Sequence, residues 1–225
     1  MSFPVYSTPD AHLKGFAMII FDLDGTLIDS RADLALAVNL TREDYGFRPL
    51  ALDAVIAAVG NGAAKLIERT FSDAPESFSR TEALARYKEN YARHLLDNTV
   101  LYDGIREGLE SLHSRGAALA VVSNKPEEAS RTILNGLGVG ELFSCIIGGG
   151  SGFALKPDPE ALLHCLKCVG DPAEKSWMVG DNYTDLAAGG NGGLLTAFAG
   201  WGFGDRRGYP STVELVLPRE IETLV

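Results

Sequence analysis

The sequence predicts an α/β fold: a doubly wound, Rossmann-like parallel sheet with an inserted helical domain. Three observations predict it. Short apolar runs are continuous rather than alternating, as strands covered on both faces require. Helical patterns separate those runs, which is the rhythm of a doubly wound sheet. One interval of about seventy residues, far longer than the connections such folds use, holds helical patterns alone.

The first strand is "FAMIIFDLDG", which ends in two aspartates, Asp22 and Asp24. From Ile28 to about Thr99 no strand is expected, only the helical stretches "RADLALAVNLTREDYG", "ALDAVIAAVGNGAAKLIERTF" and "RTEALARYKENYARHLLD". Residues 30–98 are therefore assigned to a helical cap domain, and residues 1–29 and 99–225 to the catalytic core. Helix "GIREGLESLHSRG" leads into strand "GAALAVVSNK", and helix "PEEASRTILNGLG" into strand "LFSCIIGGG". Helix "PEALLHCLKCVG" precedes strand "SWMVGDN", and helix "NYTDLAAGG" precedes a fifth strand, "LLTAFAG". Several helices carry proline near the start or glycine just past the end, as capping favours.

The composition narrows the classes of function. With 225 residues, 46% hydrophobic and 22% charged, the chain is an ordinary globular protein able to bury a full core. A formal charge of −10 argues against non-specific binding to nucleic acid or an anionic membrane. Cys145, Cys165 and Cys168 are odd in number and do not read as a disulfide framework, and the pair in "HCLKC" is expected to be buried thiols. No apolar stretch reaches the ~20 residues of a membrane span, and "MSFPVYSTPD" lacks the pattern of a signal peptide. A cytoplasmic protein, monomer or homodimer, is expected.

Chemistry is expected at the strand ends, because ligands of such sheets sit beyond the carboxyl ends of their strands. Two carboxylates on one face, about 4 Å apart, repel by roughly 4 kcal/mol at an effective dielectric near 20. Asp22 and Asp24 therefore ask for a cation or a charged ligand. The other strand ends offer Ser123 and Asn124 in "VVSNK", Lys156 in "ALKPDP", and Asp181 and Asp185 in "VGDNYTD". Any one of these alone could be a helix cap or a turn residue. Together they bring four carboxylates, an ammonium and a hydroxyl to one edge. Hard carboxylate oxygens without a nearby histidine favour Mg2+ over zinc. Lys156 and turn N–H groups suit a phosphoryl group, so the partner expected is a small phosphorylated metabolite.

"DLDGT", "VVSNK", "KPDP" and "GDNYTD", in that order, resemble the four motifs of the haloacid dehalogenase superfamily, and the long helical interval resembles the cap of some members. "VGNGAAKLIERTF", "IIGGG" and "WGFG" resemble the phosphoglycolate phosphatases within it. The resemblance implies Asp22 as nucleophile, forming an aspartyl-phosphate, and Asp24 as general acid and base. It implies phosphoryl binding by Ser123 and Lys156, and substrate orientation by Asn124. Mg2+ would meet Asp22, the backbone carbonyl of Asp24 and Asp181, with Asp185 ligating it or holding its waters. The Gly60–Asn61–Gly62 turn resembles the cap's substrate-facing loop, making Asn61 a substrate-binding candidate. The function implied is Mg2+-dependent hydrolysis of a small phosphomonoester, with 2-phosphoglycolate the best guess. A phosphosugar mutase of β-phosphoglucomutase type would share this core. A phosphoacceptor signalling module of flavodoxin type would share its aspartates and lysine, but it is about half this length.

Overall fold

The structure, a computed structural model, describes residues 18–225. The reading of "MSFPVYSTPD" and the first residues of the "FAMII" run lie outside that range.

A six-stranded parallel sheet organises the chain. Its strands are β1 (Ile19–Phe21), β4 (Leu119–Pro126), β5 (Cys145–Gly149), β6 (Trp177–Gly180), β7 (Leu195–Ala199) and β8 (Val213–Leu215), in the order β5-β4-β1-β6-β7-β8. Central β1 pairs with both neighbours in register, Phe21 lying between Val121 and Val179. The order runs outward in both directions from β1, so a crevice opens beyond its carboxyl end, where such sheets bind ligands. Burial explains the continuous apolar runs. Ile19 and Phe21 join the core on one face of the sheet, and Met18 and Ile20 join the core on the other. All four are fully buried, each worth about 1.5–3 kcal/mol relative to exposure.

Four helices occupy the interval between β1 and β4 that was expected to be helical: α1 (Arg31–Asp44), α2 (Leu52–Ile56), α3 (Ala63–Thr70) and α4 (Arg80–Arg93). Their own core includes Arg42, whose fully buried guanidinium lies between the Phe47 and Phe71 rings, at 5.4 and 5.3 Å from their centroids. It also binds the Asp73 carboxylate through two nitrogens, at 3.0 and 2.7 Å. The core helices are α5 (Ile105–Ser114), α6 (Glu127–Gly136), α7 (Glu160–Val169) and α8 (Tyr183–Asn191), each on its expected segment.

Three details depart from the sequence reading. The interval is not free of strand at its edges: β2 (Ile28–Asp29) pairs antiparallel with β3 (Val100–Leu101), forming a ribbon where the chain leaves and re-enters the core. Two-residue strands have no periodicity to read, and their pairing is long-range. Asp33 braces this neck, accepting hydrogen bonds from the Asn98 and Thr99 backbone and side chains at 2.7–3.1 Å. Second, "ALDAVIAAVGNGAAKLIERTF" is not one helix. It breaks between α2 and α3, where Gly60 and Gly62 take φ of 112° and 84°, values a side chain would oppose. Third, β8 and the 3₁₀ turn Pro218–Leu224 extend the sheet edge beyond the last strand expected.

Candidate active site

The site grows from the turn after β1. The Leu23 carbonyl accepts the N–H groups of Thr26, Leu27 and Ile28 at 3.0–3.2 Å, folding "DLDGT" into a tight loop. Gly25 makes that loop possible: its φ is 84°, and a Cβ there would lie 1.9 Å from Asp181 Oδ2. Backbone of the loop thus approaches the end of β6 as closely as only glycine permits.

Asp22 leaves β1 beside Lys156, whose Nζ donates to Asp22 Oδ1 at 2.8 Å and to the Val122 carbonyl at 2.6 Å. The same ammonium pairs with Asp185 Oδ1 at 2.7 Å. Asp185 Oδ2 accepts the Asn182 N–H at 3.0 Å and caps α8. Asp181 Oδ2 accepts the N–H groups of Phe203 and Gly204 at 3.0 and 2.7 Å, which gives the "WGFG" segment its place.

Asp22, Asp181 and Asp185 each offer an oxygen within 4.8 Å of the others, and all three are buried. Burial, and then the charges of Asp185 and Asp22, push the Asp181 carboxyl well above its ordinary range. Burial also lifts Asp185, to about 6, against the pull of Lys156. For Lys156, burial lowers the pKa, but the Asp185 and Asp22 charges outweigh it and leave the ammonium favoured. One lysine, paired with Asp22 and Asp185, stands against a cluster of three carboxylates, so acidic oxygens outnumber the cations beside them. That donor set fits a hard divalent cation bound by oxygen. Asp24 contributes no side-chain oxygen to it.

Asp24 instead faces a second cation. Lys125 Nζ meets its two carboxylate oxygens at 2.8 and 3.1 Å, and Ser30 Oγ donates to Oδ1 at 2.5 Å. The Lys125 ammonium also donates to the Tyr91 hydroxyl of α4. Each aspartate of "DLD" therefore has its own lysine, which removes the repulsion expected between them.

The remaining expected residues divide. Buried Ser123 lines the cavity, and its Oγ accepts the Lys125 N–H at 3.3 Å. Asn124 is engaged by protein on both sides of its amide. Its nitrogen donates to the Gly60 and Lys156 carbonyls at 3.1 and 3.0 Å, and its oxygen accepts the Lys156 N–H at 2.8 Å. The structure thus makes it a tie between the Lys156 segment and the α2–α3 turn, at the wall of the cavity. Asn61 is also held by protein. Its nitrogen donates to Tyr183 Oη at 2.8 Å and its oxygen accepts from Arg69 at 2.8 Å, while Gly60 and Gly62 line the cavity without it. Its side chain has partners that a substrate would have to displace.

Lys125 and Tyr91 were missed by the sequence reading. Lys125 lies two residues after Ser123 on an extended strand, the spacing that returns a side chain to the same face. Tyr91 follows Tyr87 by four, so the two share one face of α4. The space enclosed between α4, the α2–α3 turn and the sheet edge is a cavity of about 60 Å³, lined by Asp22, Asp24, Ser123, Lys125, Lys156 and Tyr91 among others. Its Lys156 ammonium and Ser123 hydroxyl, beside the carboxylate cluster, are able to bind a phosphoryl group next to a divalent cation.

Comparison with known proteins agrees with this geometry. The family model described as haloacid dehalogenase-like hydrolase matches residues 19–199. A phosphoglycolate phosphatase from Aquifex aeolicus (strain VF5) is 39% identical over 190 residues, covering 83% of this chain and 85% of the relative. One from Colwellia psychrerythraea (strain 34H) is 40% identical over 178 residues, covering 76% and 78%. The crystal structure of a predicted phosphoglycolate phosphatase from Haemophilus somnus 129pt superposes with a TM-score of 0.88 at 28% identity, covering 93% of this chain and 97% of that one.

Proposed function

Because the chain belongs to the haloacid dehalogenase-like hydrolase family and is a phosphatase, we propose that it hydrolyses a small phosphomonoester, 2-phosphoglycolate, through an aspartyl-phosphate on Asp22. The observation that carries this reading is the pairing of each "DLD" aspartate with a separate buried lysine, Asp22 with Lys156 and Asp24 with Lys125. Asp22 belongs to the Asp181–Asp185 cluster, and Asp24 stands outside it beside Ser30, a division that suits two different tasks.

In the first step an Asp22 oxygen attacks phosphorus and the bond to the leaving oxygen breaks. Asp24 gives its proton to that oxygen, releasing the alcohol and becoming a carboxylate. In the second step Asp24 takes a proton from water as that water attacks phosphorus. Phosphate leaves, and Asp22 is restored. Lys156 and Ser123 hold phosphoryl oxygens. Asp22, Asp181, Asp185 and the Asp24 carbonyl would hold Mg2+, which when bound offsets the charge of the phosphoryl group and the carboxylates. Residues 30–98 are read as the cap over this site, and residues 1–29 and 99–225 as the core.

The names and the 39–40% identity of the relatives support phosphoglycolate as the substrate. A cavity of about 60 Å³ also supports a small leaving group. The test is phosphate release from a panel of phosphorylated metabolites with Mg2+. 2-Phosphoglycolate should give the highest kcat/KM. Release from none of them, or return of the phosphoryl group to a hexose 1-phosphate without hydrolysis, would contradict the reading.

A further inference from the structure

We propose that Tyr91, a residue of α4, is a positioning residue for proton transfer: through Lys125 it fixes the direction of the Asp24 carboxyl while the helical layer is docked. The inference rests on the reading of Asp24 as acid and base.

An ammonium has three protons to place, and the Lys125 side chain is only 2% exposed. All three have partners: Asp24 Oδ1 at 2.8 Å, Asp24 Oδ2 at 3.1 Å and the Tyr91 hydroxyl. The ammonium lies 4.5 Å from the Tyr91 ring centroid, at the hydroxyl end of the ring. Lys125 therefore has its full set of contacts only with α4 in place. The Tyr91 ring is fixed in turn, stacked on Tyr87 at 5.7 Å between centroids and 8° between planes. Burial, and then the charges of Asp24 and Asp33, keep its phenol protonated by raising the pKa well above the usual value.

Asp24 is held from two directions. Ser30 approaches from the neck that leads into α1, and Lys125 from the end of β4. Two such contacts define the carboxyl plane, and one does not. Withdrawal of α4 would take an acceptor from the ammonium and admit water, loosening the second contact. From the α2–α3 turn, hydrogen bonds to the core join Gly60 to Asn124 and Asn61 to Tyr183. Neither touches Asp24 or Lys125. Tyr91 is thus the α4 side chain that links docking of that helix, through Lys125, to the acid/base group.

The test compares Tyr91→Phe, which keeps the ring, with Asp24→Asn on two substrates. One is 2-phosphoglycolate, whose alkoxide leaves poorly without a proton. The other is 4-nitrophenyl phosphate, whose leaving group needs little protonation. Tyr91→Phe should lower kcat on phosphoglycolate about 10-fold, the scale of one hydrogen bond to a charged group. It should change kcat on the aryl phosphate less than about 2-fold, with KM steady on both. Equal losses on the two substrates, no loss on either, or a rise in KM alone would overturn the inference. If Asp24→Asn itself shows no dependence on leaving group, the acid/base reading fails. If Asp24→Asn shows it and Tyr91→Phe does not, only the positioning role fails. Lys125→Met supplies an independent arm. It should give the same selective loss, and adding Tyr91→Phe should cost little more, because Tyr91 acts through Lys125. Additive losses in the double variant would also overturn it.

Discussion

Replacing Lys156 with methionine removes the one ammonium that faces Asp22 and Asp185, at 2.8 and 2.7 Å. At an effective dielectric near 20, each contact is worth about 6 kcal/mol of gross attraction. Desolvation of the lysine offsets most of that. Breaking such a buried pair from one side costs about 3–5 kcal/mol net, because the carboxylates left behind are uncompensated. At about 2–4 °C per kcal/mol for a chain of this size, the metal-free variant should melt about 6–20 °C lower near neutral pH.

The pH dependence of that loss carries the reasoning. Asp185 is already pushed up to about 6 and Asp181 well above its ordinary range, both first by burial. Losing Lys156 raises Asp185 further. A carboxyl with a folded-state pKa above its unfolded one costs stability above the folded pKa, and that cost disappears below the unfolded pKa. The deficit of Lys156→Met should therefore be largest above pH 6 to 7 and shrink as pH falls toward 4. Thermal melts followed by circular dichroism in chelator, at several pH values, read it directly. A deficit that stays constant with pH, or one below about 2 °C at neutral pH, would refute the charge account.

Other outcomes follow from the same geometry. Chelator should abolish turnover, and Ca2+ should inhibit because its looser coordination misplaces the reacting groups; phosphate release with each ion checks both. The apparent affinity for Mg2+ should weaken below about pH 6, as protons compete for Asp185 and Asp181; calorimetric titration measures it, and a pH-independent affinity would contradict that ligand set. Gly25→Ala puts a Cβ 1.9 Å from Asp181 Oδ2 on a backbone with φ of 84°. It should lose about 1–2 kcal/mol to backbone strain alone, and more in Mg2+ affinity than in melting temperature; unchanged Mg2+ binding would show that the loop and Asp181 are not in register. Asp24→Asn should phosphorylate from an activated donor and then turn over about 10²–10⁴-fold more slowly, a burst visible by rapid quench.

Much of this was legible in the sequence, for identifiable reasons. The strands of the sheet read well where burial on both faces left unbroken apolar runs, as in Leu119–Val122 and Trp177–Gly180. Asp22, Lys156, Asp181 and Asp185 could be placed together because a parallel sheet sends every strand end to one edge. β2 and β3 escaped because two residues show no period, and β8 because a three-residue edge strand follows a long polar loop. The site's second half depends on contacts across the fold. The Asp24–Lys125 and Lys125–Tyr91 contacts span 101 and 34 residues, and no local pattern encodes such a meeting. Asn124 and Asn61 show a related limit: amides that suit a ligand suit other protein groups equally well, and only the folded chain shows the protein partners they hold.

The central claim is that the phosphoryl group passes through Asp22. The most direct measurement exposes Asp24→Asn protein to an activated phosphoryl donor with Mg2+, quenches in acid, and locates the covalent phosphoryl group by peptide mass spectrometry. The account predicts an aspartyl-phosphate at Asp22, absent when Asp22→Asn is added. A phosphoryl group on any other residue, or one that persists in the Asp22→Asn protein, would contradict it.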